Sequence, residues 1–362
     1  MTASVVVDDA KVAEFAGKVV TDAGGAMAVL LCELGDRLGL LRSLAEEGAA
    51  TSAELAERTG LQERYVREWL HGLAAAHYLD RDVADPERFS LPPERVPVLA
   101  DEGGRWFAAP AFRMLPPLVG NLDGVAHAFE AGGGVPTTAY GPAWWDGMQR
   151  FTASFHTLLA TEWIPSLPAL HAKLERGATG ADVGCGAGRA SISLARAYPA
   201  SRFVGFDVVP DQIALARANA RDAGVGDRVS FEVLEVARGL PGRYDLMTTF
   251  DAVHEAIDPV GLLRAIRAAT ADDGSYLMAE LNCADRPEDN VGPLHAMLYG
   301  LSVLYCMTTT LAHGGAGLGA CGLPEARVRE LCTQVGFSSV RRVPLPYTSL
   351  ASIENILYEV RP

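Results

Sequence analysis

The sequence predicts an α/β protein: a doubly wound parallel sheet in its C-terminal half, behind a small α-helical domain of winged-helix order. Three observations carry this. After Gly180, apolar runs of strand length alternate with runs of helical period, the pattern of a parallel sheet with helices on both faces. The first of these strands ends in three alternate glycines, Gly184, Gly186 and Gly188, directly before a helical run. The first hundred residues run instead as helix, short helix, helix and hairpin.

Bulk properties bound the rest. A chain of 362 residues holds two or three domains at roughly 100–200 residues each. A net charge of −14 and a pI near 5.0 argue against nucleic acid and against an anionic membrane, because Lys and Arg carry phosphate binding. Six cysteines without C-x-x-C spacing read as reduced thiols of a cytoplasmic protein. The first residues, MTASVVVDDAKVAEF, carry acids where an export signal needs bases. Val291 to Pro324 lacks Asp, Glu, Lys and Arg, but its apolar run stops at Thr308-Thr309-Thr310. A buried helix followed by a glycine-rich loop is expected there, not a membrane span.

In the N-terminal segment (1–100), leucines recur at helical spacing over 26–46. Thr51-Ser-Ala-Glu54 has the spacing of a capping box, in which hydroxyl and carboxylate satisfy orphan amides. A short helix then breaks at Gly60. The next, from Gln62 to Leu79, places Val66, Trp69, Leu70, Leu73 and Leu79 on one face. Asp85-Pro86 turns between YLDRD and RFSL, a small hairpin. In the helix that would read DNA, Arg64 and Arg67 are offset by Glu63 and Glu68, which favours packing or dimerisation over a nucleic-acid role.

Residues 101–175 mix Pro- and Gly-rich stretches with a helical run, MQRFTASFHTLLATEWIP, and read as a helical connector. From 176 to 362 strands are expected at ATGADVG, RFVGFD, VSFEVLE, YDLMTTF, SYLMAEL, SSVRRV and IENILYEV.

The glycine loop poses a chemical question. A dinucleotide fingerprint from Gly184 requires its third glycine at 189, where this chain has Arg189; no Lys follows the glycines as a P-loop requires. Asp182, two residues before Gly184, would repel a phosphate and suit a ligand bearing ammonium and sulfonium. Asp207 ends the second strand, 23 residues past Gly184, where a carboxylate can accept from ribose hydroxyls. A ribose, no required phosphate and positive charge together describe S-adenosylmethionine.

On Asp182-Val-Gly-Cys-Gly-Ala-Gly188, Val204-Gly-Phe-Asp207, Phe250-Asp-Ala-Val-His-Glu-Ala-Ile-Asp-Pro259 and the closing IENILYEVRP, the chain resembles the class I S-adenosylmethionine-dependent methyltransferases of the bacterial branch with an N-terminal winged helix. The resemblance implies a Rossmann-like sheet of seven strands, the last inserted antiparallel. It implies that Gly184, Gly186 and Gly188 admit the methionine part, that Asp207 takes the ribose, and that Val208 packs on the adenine. Glu235, followed by Val236, stands where the family carries an Asp toward the adenine amino group. Phe250 and Asp251 close the cofactor site. It also implies a homodimer through the N-terminal domain, consistent with the apolar surface of the 26–46 helix.

Methyl transfer from a sulfonium needs orientation above all, and a hydroxyl acceptor also needs a base. His254 follows the fourth strand, at the end of the sheet where open α/β folds bind ligands. His254-Glu255 matches the family's base position, and Glu280, ending the fifth strand, matches the carboxylate that brackets it. The acceptor is expected to be a natural-product-like aromatic or keto acid, walled by Tyr140, Trp144, Trp145, Phe155, His295 and Tyr299. No metal is assigned. The alternatives are a non-methylating S-adenosylmethionine enzyme such as a cyclase or decarboxylase, metal-assisted methylation through His254 with His295 or His313, and a ligand-responsive transcription factor.

Overall fold

The computed structural model describes residues 7–345 and 349–362, with the side chains of 351 and 352 left aside. It divides into two compact units, Met1–Leu115 and Pro116–Pro362. The segment 101–175, read from sequence as a separate connector, is divided: 101–115 group with the first unit and 116–175 with the sheet. Its apolar residues Phe155, Leu159, Trp163, Ile164 and Leu170 belong to the same core cluster as sheet residues Phe203, Phe231 and Leu246.

In the first unit, α1 (Asp9–Arg37) is followed by α2 (Leu40–Glu47), β1 (Ala50–Thr51), α3 (Ser52–Thr59) and α4 (Glu63–Ala75). β2 (Asp80–Arg81) and β3 (Arg88–Ser90) then complete a three-stranded sheet of order β1-β3-β2. Both arms of the Thr51–Glu54 capping box are present. Val66, Trp69, Leu70 and Leu73 are the buried face of α4, which ends at Ala75, before His77 with its φ of +60°, so Leu79 is buried from beyond the helix. Arg64 and Arg67 pair with Glu68 and Glu63 at 2.6 and 2.9 Å.

The leucine-rich helix expected over 26–46 differs. The chain breaks at Gly39, whose φ of +74° lies in the left-handed region, giving two helices. Leu40, Leu41 and Leu44 are spent on the unit's own core. The exposed apolar side chains lie earlier, at Val12, Phe15, Val19, Val20 and Met27 of α1. The sequence reading missed this face because small and charged residues interrupt its period (Ala16, Gly17, Lys18).

The second unit carries a seven-stranded sheet of order β6-β5-β4-β7-β8-β10-β9. Its strands are β4 (Thr179–Val183), β5 (Arg202–Asp207), β6 (Val229–Val233), β7 (Tyr244–Phe250), β8 (Thr270–Leu281), β9 (Ser339–Val343) and β10 (Asn355–Arg361). β4 to β8 run parallel, and β10 pairs antiparallel with both β8 and β9. The order turns back at β4, so β4 and β7 splay their following loops to either side of a crevice, where doubly wound sheets take ligands.

The uncharged segment forms a helix over Pro293–Leu311 that contains one π turn, Ser302–Cys306. Thr308, Thr309 and Thr310 are buried, whereas Met297 and Tyr299 are exposed. By length and composition this helix and α1 are the two, among the described residues, long and apolar enough to cross a membrane.

Candidate active site

The loop after β4 is shaped by its glycines. Gly184, Gly186 and Gly188 have φ of +72°, +48° and +79°, conformations that side chains rarely adopt. A Cβ on Gly188 would stand 2.4 Å from the Phe231 ring, and one on Gly184 would stand 2.9 Å from Ala252 Cβ, whereas one on Gly186 would meet nothing within 4 Å. Gly188 is thus needed for packing, and Gly186 faces open space where a ligand can come close to the backbone.

Two carboxylates support the loop. Asp207 accepts from the Gly186 and Val209 N–H groups, both at 2.9 Å. Burial pushes its pKa up, and these backbone bonds oppose that. Asp182 is buried; Thr248 Oγ1 donates to it at 2.7 Å and Ser191 Oγ at 3.4 Å. Burial lifts its pKa to about 7. Its carboxyl lies under the loop and is held by two hydroxyls, partners the sequence reading did not include. Val208 is exposed, Glu235 is exposed at the start of a single 3-10 turn, and Val236 is buried in the core.

The second cluster forms where β7 and β8 end. Asp251, directly after β7, has a φ of +50°, an uncommon conformation for a side-chain-bearing residue and one often found at functional sites. Its N–H bonds Ala279 O of β8 at 3.0 Å, and Asn355 Nδ2 of β10 donates to its carboxylate at 2.7 Å. Burial, reinforced by Glu280, raises the Asp251 pKa to about 7. His254 follows and is buried, with Nδ1 2.6 Å from Glu280 Oε2. The other Glu280 oxygen accepts the Val253 N–H at 2.9 Å. Both oxygens of Glu280 are therefore engaged, and the ring orientation of His254 is fixed. With Nδ1 donating to the carboxylate, Nε2 is the nitrogen turned toward Cys306 and Glu255.

The electrostatics of the dyad have a definite sign. Burial, the largest single influence, would depress the His254 pKa; the Glu280 carboxylate and Cys306 together outweigh it and hold the imidazole well above its ordinary value. Glu255 lies 3.7 Å from His254 Nε2, and burial raises its pKa. A Cβ on Gly184 would stand 2.9 Å from Ala252 Cβ, so the glycine loop lies beside the segment that carries Asp251 and His254.

Aromatic residues line this region unevenly. Phe155 packs edge-on against Phe250 at 5.5 Å. Tyr140 and Trp144 are buried against Tyr305, with ring centroids 4.9 and 3.9 Å away. Tyr140 donates its hydroxyl to Leu304 O. Trp145 is half-buried. His295 bonds Val291 O of its own segment at 3.0 Å, and Tyr299 accepts from Asn290 at 3.4 Å. The groups clustered on His254 are Glu255, Cys306, Asp251 and Glu280; neither His295 nor His313 is among them within the described residues. Sequence reasoning missed Asn355 and Cys306. Asn355 lies within the closing IENILYEVRP run but was given no role there; strand pairing brings it to Asp251, and the π turn that ends in Cys306 brings that residue to His254.

With this geometry in view, the comparisons are specific. A methyltransferase domain matches residues 174–313 and the Rv2258c-like winged HTH domain matches residues 25–101. The ubiquinone biosynthesis O-methyltransferase of Pseudomonas paraeruginosa is 28% identical over 142 residues, 38% of this chain and 58% of that protein. That of Erwinia tasmaniensis is 30% identical over 160 residues, 43% of this chain and 63% of that protein. The match thus spans about three-fifths of these relatives' length. Among solved structures, the mitomycin 7-O-methyltransferase MmcR has a TM-score of 0.71 at 20% identity, covering 98% of this chain and 99% of that one. PigF with SAH has a TM-score of 0.68 at 20% identity, covering 96% and 99%. At such identity the likeness shows the fold. The chain carries a methyltransferase domain behind a winged helix-turn-helix domain.

Proposed function

We propose that this protein is an S-adenosylmethionine-dependent O-methyltransferase acting on a small molecule, with His254 taking the acceptor proton. The observation that carries the reading is the buried His254–Glu280 pair set against the open glycine loop where Gly184 stands beside Ala252. On this reading the backbone around Gly186 admits the methionine part, Asp207 turns toward the ribose, and Val208 covers the adenine. Asp182 supports the loop from below. Nε2 of His254 faces the acceptor hydroxyl, whose attack on the sulfonium methyl is in line. Orientation supplies most of the acceleration, and the base adds the rest.

The acceptor is inferred to be a hydroxylated aromatic compound, because half-buried Phe250, backed by the core residue Phe155, offers a ring surface beside Asp251. The test is incubation with S-adenosylmethionine and a panel of phenols and hydroxyquinones, followed by mass spectrometry. A product heavier by one methyl, with matching S-adenosylhomocysteine, supports the reading. Tight S-adenosylmethionine binding without S-adenosylhomocysteine on any acceptor class would favour a non-methylating reaction.

The protein is further proposed to act in the cytoplasm as a homodimer through the first unit. Support comes from the apolar side of α1, where Phe15, Val19 and Val20 are exposed. Light scattering that finds a concentration-independent monomer would refute the dimer, and Phe15→Glu with Val19→Glu should abolish it.

A further inference from the structure

We propose that His254, Glu255 and Cys306 form a site for one thiophilic divalent cation such as Zn2+, and that its occupancy silences the base. The inference rests on the assignment of His254 as base only for its consequence, not for the site itself. One nitrogen, one sulfur and one carboxylate oxygen of these residues lie within 4.8 Å of one another. This donor set suits zinc and its neighbours, for which imidazole and thiolate are the preferred ligands.

The Cys306 thiol lies within hydrogen-bonding reach of both His254 and Glu255, bonds it would exchange for the ion, so the remaining pair sets the spacing. His254 Nε2 and Glu255 Oε1 are 3.7 Å apart, too far for a hydrogen bond. Two donors each about 2.0–2.1 Å from one tetrahedral ion stand roughly 3.4 Å apart, and a sulfur and a nitrogen roughly 3.6 Å. The His254–Glu255 pair thus has nearly the separation a shared ion requires. The neighbouring group of Asp251, His254 and Glu280 also lies within 4.8 Å, but there the His254 and Glu280 atoms are 2.6 Å apart. That is a hydrogen bond, with no room for an ion between.

The wider arrangement agrees. A metal-bound histidine usually donates its other ring N–H to a carboxylate, which fixes the ring and strengthens the ligand. Glu280 occupies that position. Cys306 arrives at the end of the π turn Ser302–Cys306; such an extra residue per turn often re-aims side chains at functional sites. Cys306 is buried, and Glu255 keeps about a third of its surface exposed, which leaves an entry. A thiolate and a carboxylate together neutralise a divalent ion in this setting, the thiol proton leaving to solvent as the ion binds. The fourth position would hold water. The ion uses the same Nε2 lone pair that would accept the acceptor's proton.

The test uses the full chain with Zn2+ and, separately, Co2+. The expected result is one Zn2+ per chain by competition with a chromophoric chelator. Co2+ should give a thiolate charge-transfer band in the near ultraviolet. Cys306→Ser should lose that band and weaken Zn2+ binding at least tenfold, and Glu255→Gln, a milder change, should weaken it while the fold is retained. Zn2+ should slow methyl transfer in step with occupancy in the wild type, and S-adenosylmethionine affinity should not change. Equal Zn2+ affinity in wild type and both variants would overturn the site. Binding with an unchanged or faster reaction would overturn the silencing. Failure to find any methyl transfer would leave the binding result standing, so the two readings fail separately.

Discussion

The two halves of the crevice are built by different means. On the glycine side, the shape is backbone: three residues in the left-handed region and two N–H groups held by Asp207. On the histidine side, the shape is side chain: Asp251, His254, Glu280 and Asn355, from three separate segments of the chain, locked by hydrogen bonds at 2.6 to 2.7 Å. A backbone cradle can receive a ligand that brings its own activated group. A buried side-chain cluster can hold a proton-accepting nitrogen in one orientation. The division matches a reaction in which the donor needs placing and the acceptor needs deprotonating.

The largest effects should separate these halves. His254→Ala is expected to lower turnover by roughly 10²–10⁴-fold, the usual worth of a positioned base. S-adenosylmethionine affinity, measured by calorimetry, should stay within about twofold. Asp207→Ala should do the reverse, weakening S-adenosylmethionine by about 1.5–3 kcal/mol, the range for a hydrogen bond to a charged group. If each variant damaged both readouts equally, the two halves would not be functionally distinct.

Within the glycine side a finer comparison is available. Gly188→Ala must accept a left-handed φ and a contact of 2.4 Å with Phe231. Gly186→Ala meets only the φ penalty, since nothing lies within 4 Å. The conformational cost is about 1 kcal/mol for each, and overpacking adds about 1–3 kcal/mol at Gly188 alone. Urea unfolding should therefore show Gly188→Ala to be the less stable variant, while Gly186→Ala loses more cofactor affinity than stability. Equal destabilisation would contradict the packing role of Gly188.

The same contrast explains what could be read from sequence. A backbone loop is written in consecutive residues, so Gly184, Gly186, Gly188 and Asp207 stood out from spacing alone, as did the alternating strands and the α4 core face. The histidine side is only half local. His254 and Glu280 are visible because strand ends are visible, and a family likeness pointed to both. Asn355 reaches Asp251 only because β10 inserts antiparallel beside β8, and Cys306 reaches His254 only through a π turn. Neither event leaves a periodic mark. The break at Gly39 was similarly hidden, because Leu38, Leu40 and Leu41 continue an apolar run across it. Propensity saw one long helix where the structure has two.

The smallest expected effect is a displacement along the pH axis, and it tests the link between Glu280 and His254 directly. A base must be neutral to accept a proton, so the rate should rise with pH as the imidazolium is lost. An unperturbed imidazole would place that midpoint near ~6.5. Three influences compete here. Burial favours the neutral ring and would lower the midpoint, and the Glu280 carboxylate with Cys306 favours the charged ring, their sum outweighing burial. The wild-type midpoint should therefore lie above the ordinary imidazole value. Glu280→Gln removes the carboxylate and leaves only Cys306 to oppose burial, so the midpoint should fall. The amide can still accept from Nδ1, so the ring should largely keep its orientation, which separates charge from positioning. Asp251, lifted to about 7 by burial and by Glu280, also feels the charge on His254, so the midpoint belongs to the cluster rather than to one residue. Asn355→Ala supplies the control, since it loosens Asp251 without removing the carboxylate beside His254. A wild-type midpoint at or below the ordinary value, or one that Glu280→Gln leaves in place, would mean that Glu280 braces the Val253 backbone and has no part in the proton transfer.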